Sequence, residues 1–229
     1  MRILDLFCGA GGAAMGYHRA FPDAEIVGVD INPQPRYPFT FMQRDAMTFP
    51  LNGFDLIHAS PPCQDHSTST ATSRKTKGEH GTGWMLGAIA DRLSGFGVPW
   101  VVENVEGARM PAAPCHFRLC GSSFLLDVRR HRKFISSERI LAPSCAHGWQ
   151  QPRFQSLRND MRKRGQLSPV VGVHGSEQFP GDFEQRSAAM RIGWMTNAEL
   201  SQAIPPAYTE WIGGQLAGTV RGCDGPASG

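Results

Sequence analysis

An α/β architecture, a mostly parallel sheet with helices on both faces, follows from three features of the chain. Short apolar runs recur at 2–7 (RILDLF), 25–30 (EIVGVD), 54–59 (FDLIHA) and 98–105 (VPWVVENV). Segments rich in helix formers or with helical patterning, such as GGAAMGYHRA and WMLGAIADRLSGFG, lie between them. The first run passes directly into a glycine-rich turn and then helix formers, which reads as strand, tight turn, helix. Fully apolar strands alternating with helices are the signature of a parallel sheet buried on both faces.

The elements follow in order. RILDLF is a buried strand, and the glycines after it open a helix. EIVGVD is a second strand that ends in an acid. INPQPRYPF is too rich in proline for a helix interior. FDLIHA is a third strand, followed by a long polar loop, 65–83, that contains RKTK. An amphipathic helix then leads to the strand VPWVVENV. From about 136 to 190 the periodicity weakens into short apolar pieces among proline, serine, glycine and arginine. Helical patterning returns over 197–218 with a break at Pro205-Pro206, and the last residues are expected to fray. The expected organisation is a catalytic domain over 1–135, a small irregular lobe over 136–190, a segment over 191–220 that returns to the domain, and a flexible tail over 221–229.

The bulk numbers fit one such domain. The chain has 229 residues, 41% apolar and 19% charged, enough for a real core and a small lobe. No run of 18 apolar residues occurs, so no membrane span is expected. MRILDLF shows no secretory leader pattern, which predicts a cytoplasmic protein whose six cysteines are free thiols rather than a disulfide framework. The net charge of +3 is uneven. Residues 129–164 hold ten Lys/Arg and two acids, +8 in all, which leaves −5 for the rest of the chain. A basic segment on a mildly acidic body predicts a docking surface for a polyanion.

Gly9-Ala10-Gly11-Gly12-Ala13-Ala14 fits GxGxxA between a strand and a helix. Glycines there allow a tight turn and a close approach of ligand to backbone beside a helix N-terminus. Asp30 ends the next strand, where a carboxylate accepts hydrogen bonds from ribose hydroxyls. The pattern serves a dinucleotide and S-adenosylmethionine equally, since both carry an adenosine ribose.

SPPCQDHS, 60–67, places Cys63 at the C-terminal end of the FDLIHA strand, the edge at which open α/β sheets bind ligands. A lone cysteine is more often packing than catalysis. Glu103 and Asn104, at the same end of VPWVVENV, change that balance. A carboxylate at the mouth of a sheet beside a thiol is costly as mere structure, whereas the two make sense as nucleophile and acid. Arg130 and Arg132 lie two apart in RRHRKF. Alternation on a strand would put both on one face, to bind phosphate or to hold the glutamate.

These motifs, in this order, resemble the cytosine-5 DNA methyltransferases, of the short kind found in phages and bacteria. The resemblance runs almost end to end: DLFCGAGG, VGVDIN, QRDA (43–46), SPPCQDHS, VVENV, LCGSSFLLDVRRHRKF (119–134) and AIPPAYTEWIGGQL. PCQ and ENV are the specific pieces. The chain departs from the pattern at Val128, where the family has Gln, at Gly213-Gly214, where it has Gly-Asn, and in its much shorter target-recognition lobe.

The resemblance implies a Rossmann-like S-adenosylmethionine-dependent methyltransferase sheet with helices on both faces, plus a small target-recognition lobe. It implies S-adenosylmethionine as cofactor, held by Asp5, Phe7, Gly9, Gly11, Gly12, Asp30, Ile31, Asp45, Ala46 and Pro61. Cys63 becomes the nucleophile that adds to carbon 6 of a flipped cytosine, Glu103 the group that protonates ring nitrogen 3, and Arg132 with Arg130 the stabilising cations. Duplex DNA is the expected partner, through Gln64, Ser67, Arg74 and Asn104 and through Arg153, Arg158, Arg162 and Arg164 of the lobe. A monomer with no obligate protein partner is expected, acting in restriction–modification or in masking DNA.

Two enzyme rivals and one binding rival remain at this stage. A dinucleotide-dependent oxidoreductase explains the glycine turn but leaves Cys63 and Glu103 idle. An RNA cytosine-5 methyltransferase shares the chemistry. An inactive DNA-binding relative usually loses the nucleophile or the glutamate. Cys115, Cys120, Cys145 and His147 lack the spacing of a paired CxxC site, so no metal is expected and ordinary thiols are.

Overall fold

The computed structural model describes residues 1–62, 83–148, 170–173 and 182–221. Seven strands form one sheet: β1 (Arg2–Leu6), β2 (Glu25–Asp30), β3 (Thr40–Gln43), β4 (Leu56–Ala59), β5 (Trp100–Val105), β6 (Cys115–Leu119) and β7 (Arg132–Ser136). The order across the sheet is β3-β2-β1-β4-β5-β7-β6. The strands from β3 to β5 pair in parallel, and β7 runs antiparallel between β5 and β6. The helices are α1 (Gly12–Ala20), α2 (Trp84–Ser94), α3 (Phe183–Met190), α4 (Asn197–Gln202) and α5 (Pro206–Arg221). This is the expected Rossmann-like α/β fold.

Side chains alternate across each strand, and the two faces carry separate apolar clusters. Ile3, Leu56, Val101 and Phe134 pack with α1 and the C-terminal helices. Leu4, Ile57, Val102 and Ile135 pack with α2. Apolar residues on both sides of β1, β4 and β5 are what made these strands readable as continuous runs. The edge strands are different. β3 is mostly exposed and β6 alternates between half-buried and exposed up to its buried last residue, Leu119, so neither shows as an apolar run.

Helix α5 folds back across α1, and small residues permit the contact. A Cβ on Gly16 would lie 2.0 Å from Thr209 Oγ1 and 2.1 Å from the Pro206 carbonyl oxygen. The Thr209 hydroxyl donates to the Ala13 carbonyl at 2.8 Å. Gly213, at the position where Gly-Asn was expected to change, faces Ala20, with a built Cβ 2.7 Å from that methyl. The Trp194 indole donates to the Ala10 carbonyl at 2.8 Å. The C-terminal segment therefore reaches the glycine turn and α1. Within the expected lobe, 136–190, α3 is helical and opens with a capping box between Asp182 and Gln185. The other described pieces of that range are 136–148 and 170–173. Residues 222–229 lie outside the described residues.

Candidate functional site

The C-terminal edge of the parallel strands collects polar groups. Asp5, His58, Glu103 and Arg132 share the parity of Ile3, Leu56, Val101 and Phe134, so they stand on the α1 face of the sheet. All four are buried. A row of buried titratable groups on an otherwise apolar face is expensive unless each is paired; Glu103, Arg132 and His58 have close partners, while Asp5 has one long contact from Tyr37 and its Oδ1 has none.

Glu103 and Arg132 form an ion pair at 2.8 Å, each side chain 8% exposed. The register explains the meeting: Arg132 opposes Val105 across the β5–β7 ladder, two residues along the same face from Glu103. Burial pushes the Glu103 carboxyl above the usual carboxylate range; Arg132, Arg130 and the Ser60 hydroxyl oppose that rise. A carboxyl held in this balance is suited to give up and take back a proton.

Arg130 was expected on the strand beside Arg132. The strand instead begins at Arg132, and the chain turns tightly just before it, with the His131 amide bonded to the Arg129 carbonyl at 2.7 Å. The Arg130 guanidinium donates to the Ser201 carbonyl at 2.6 Å, and the Tyr208 hydroxyl donates to the Arg130 carbonyl at 2.5 Å. Arg130 thus adds positive potential near Glu103 while it ties the arginine segment to α4 and α5. Val128, standing where the family pattern has Gln, is buried beneath Gly121.

Asn104 is buried, and its Nδ2 donates to the Pro61 carbonyl at 3.1 Å. Its Oδ1 accepts from the Val105 amide at 2.9 Å. Expected at a nucleic-acid contact, Asn104 here holds the backbone two residues before Cys63. Cys63 itself, Gln64, Ser67, Arg74, Arg153, Arg158, Arg162 and Arg164 lie outside the described residues.

A second buried chain leads to Glu103, and sequence reasoning missed it. His58 is fully buried, with Tyr17 Oη 3.0 Å from Nδ1 and Ser60 Oγ 2.9 Å from Nε2. Burial depresses its imidazole to a pKa of about 3, so it is neutral. The Ser60 hydroxyl opposes the rise of the Glu103 carboxyl, so the Tyr17–His58–Ser60 chain ends beside Glu103. Nothing in FDLIHA pointed to this, because Tyr17 comes from α1.

The glycine turn has room for a ligand. Gly9 and Gly11 take positive φ, 48° and 84°. A Cβ built on Gly9 meets no atom within 4 Å, so the turn opens onto empty space. Phe7, at φ 56°, precedes it half-buried. Gly12 packs against the Ile204 backbone instead. Asp30 accepts from the Gly9 amide at 3.1 Å and the Asn32 amide at 2.9 Å, which aims its carboxylate beside the turn. Ile31 next to it is 66% exposed, an apolar surface of the kind an adenine ring covers. Asp45 is exposed and caps its own turn, accepting from the Met47 amide at 2.9 Å. Ala46 is buried, its carbonyl bonded to Arg92 at 3.2 Å. Asp5 lies fully buried below the turn. Its carboxyl is raised well above the ordinary range by burial, and Tyr37 donates to it at 3.4 Å. Burial, with Asp5 and Asp30 nearby, also pushes the Cys8 thiol up and out of reactive range.

Residues 1–111 match the protein-family model described as C-5 cytosine-specific DNA methylase. The fold resembles the crystal structure of S. pombe Dnmt2 methyltransferase, at a TM-score of 0.59 and 13% identity, covering 98% of this chain and 100% of that one. It also resembles the Entamoeba histolytica methyltransferase EhMeth, at a TM-score of 0.53 and 10% identity, covering 99% of each. The curated proteins searched contain no match. The open turn at Gly9, the Asp30 carboxylate and the exposed Ile31 fit an adenosine-bearing ligand such as S-adenosylmethionine. Among the described residues no helix is long and apolar enough to cross a membrane.

Proposed function

We propose that this protein is a DNA (cytosine-5-)-methyltransferase that acts on a cytosine flipped out of duplex DNA through a covalent adduct at Cys63. The observation that carries the reading is the buried Glu103–Arg132 pair at 2.8 Å, set beside an asparagine that holds the Pro61 carbonyl two residues before Cys63.

Carbon 5 of cytosine is a weak nucleophile. The Cys63 thiolate adds to carbon 6, and the Sγ–C6 bond turns carbon 5 into an enamine-like centre. Charge gathers at ring nitrogen 3 as sulfur adds, and the Glu103 carboxyl gives that nitrogen its proton. Arg132 compensates the carboxylate left behind. S-adenosylmethionine, which the Gly9 turn and Asp30 would hold, would supply an electrophilic methyl group: carbon 5 bonds that methyl as its bond to the sulfonium sulfur breaks, and S-adenosylhomocysteine leaves. Loss of the carbon 5 proton to a base, expulsion of the Cys63 thiolate and return of the nitrogen 3 proton to Glu103 restore the aromatic ring and the enzyme. Of the ten basic residues of 129–164, the eight other than buried Arg130 and Arg132 would supply counter-charge for a phosphate backbone. The base must leave the helix stack to react, at a cost of a few kcal/mol.

The test is mass spectrometry of nucleosides from both DNA and RNA of cells that express the chain or its Cys63→Ala variant. 5-Methyldeoxycytidine that appears only with the intact cysteine is the expected result. 5-Methylcytidine in RNA with unmodified DNA would overturn the DNA assignment and retain the chemistry. No modified cytosine in either, from folded protein, would overturn both.

A further inference from the structure

We propose that Cys120, His131, Cys145 and His147 form a closed two-sulfur, two-nitrogen site for a zinc-class divalent ion, separate from the glycine turn. The four ligand atoms all lie within 4.8 Å of one another. Cys120 Sγ stands 3.2 Å from His147 Nε2, and Cys145 Sγ stands 3.4 Å from His131 Nε2. Tetrahedral zinc with Zn–S near 2.3 Å and Zn–N near 2.05 Å requires sulfur–nitrogen edges of about 3.6 Å, a sulfur–sulfur edge of about 3.8 Å and a nitrogen–nitrogen edge of about 3.3 Å. The two observed sulfur–nitrogen edges are already of this size. The longest separation must close by about 1 Å.

The spacing, Cys120-x10-His131-x13-Cys145-x-His147, is not that of a CxxC knuckle, which is why the cysteine count gave no metal. The fold supplies the ligand that the count lacked. The tight turn at Arg129–His131 sends His131 toward the cluster while Arg132, next in sequence, reaches Glu103. Cys115, counted among the candidates, is not part of the cluster. Its Sγ lies against the Ile140 backbone, accepting from that amide at 3.4 Å.

The surroundings hold the ligands in place. The segment that carries Cys145 and His147 is fastened to the turn after Cys120 by two hydrogen bonds. Ser123 Oγ donates to the Ser144 carbonyl at 2.8 Å, and the Ala146 amide donates to Ser122 Oγ at 3.0 Å. Ser122 Oγ also lies 3.1 Å from Cys120 Sγ, a supporting contact of the kind metal thiolates receive. Two thiolates and two imidazoles exclude magnesium and calcium, which take oxygen ligands, and select zinc among abundant divalent ions. Four protein ligands leave no open position, so the ion is structural. It clamps the start of β7, next to Arg132, to the chain at Cys145–His147.

The experiment is elemental analysis of the full chain purified from zinc-supplemented cells and passed through metal-free buffer. Cobalt(II) titration of chelator-stripped chain accompanies it. About one zinc per chain is expected, with the tetrahedral d–d bands and thiolate-to-cobalt charge transfer of a two-sulfur site. Cys145→Ser and His147→Ala lower bound zinc at least about fivefold, while Cys115→Ser leaves it unchanged. Zinc below about a tenth of an equivalent together with no tetrahedral cobalt spectrum overturns the site. So does zinc retained in both Cys145→Ser and His147→Ala. If either variant fails to fold, the cobalt spectrum of the unaltered chain decides.

Discussion

Glu103 Oε1 and Arg132 Nε stand 2.8 Å apart with both side chains almost wholly buried. Removing one partner of such a pair leaves an uncompensated buried charge, which costs about 3–5 kcal/mol. Arg132→Ala is therefore expected to lower the unfolding free energy by that order in urea titration. It also has a kinetic signature. Arg132 holds the Glu103 carboxyl down against the effect of burial, so without it the carboxyl keeps its proton to higher pH. In methyl-transfer assays the alkaline limb of kcat/KM then moves to higher pH, while the rate at the optimum falls. Arg132→Lys restores part of the rate. An unmoved limb would show that Glu103 is not the group that titrates.

Asn104 carries a second prediction. Beyond the β4–β5 ladder, its bond to the Pro61 carbonyl links β5 to the chain just before Cys63. Asn104→Ala leaves that carbonyl without its donor, at about 1–3 kcal/mol. Misplacement of a nucleophile by a small distance lowers reaction rates by about 100-fold. The expected result is a fall of that size in kcat with little change in KM for S-adenosylmethionine, read by labelled-methyl transfer. A fall confined to KM would place Asn104 in cofactor binding.

The parallel strands were legible because β1, β4 and β5 are apolar on both faces, which leaves Glu103 and Asn104 conspicuous at the end of VVENV. Edge strands β3 and β6 were not legible, since exposure on one side mixes polar residues into short runs. Arg130 misled through spacing: a period of two implies a shared face only where the strand is continuous, and here it starts at Arg132. His58 and His131 were silent for the same reason as each other. Their partners, Tyr17 and Cys145, come from distant elements, and pairing across 41 and 14 residues leaves no local pattern.

His58 makes acid stability testable. In the unfolded chain a histidine binds a proton below about pH 6.5, whereas in the fold this one stays neutral until pH about 3. As pH falls between those values the unfolded state gains a proton that the native state lacks. Stability is therefore lost on acidification, by about 1.4 kcal/mol per pH unit from this group. Chemical denaturation between pH 6.5 and pH 4 is expected to show a slope shallower by about that amount in His58→Gln than in the unaltered chain. Equal slopes would show that His58 is charged or solvated in the fold.

Two glycines separate ligand binding from packing. Gly9 has φ 48° and a Cβ position with nothing within 4 Å. Gly9→Ala thus incurs only the left-handed backbone penalty, about 1–2 kcal/mol, while its methyl projects into the space assigned to S-adenosylmethionine. Gly16 is a helical residue of α1 whose Cβ would fall 2.0 Å from Thr209 Oγ1 and 2.1 Å from the Pro206 carbonyl. Neither neighbour is the free end of a long side chain, so α1 and α5 must move apart, and overpacking of this kind costs about 1–3 kcal/mol or more. Calorimetric titration with S-adenosylmethionine and thermal unfolding, run on both variants, give a crossed result if the turn is the cofactor site. Gly9→Ala loses at least tenfold in affinity with a modest fall in Tm, and Gly16→Ala loses Tm while the folded fraction binds nearly as before. Equal affinity losses in both would mean that the turn responds to the α1–α5 contact as a whole. Unchanged affinity in Gly9→Ala would move the donor away from the glycine turn.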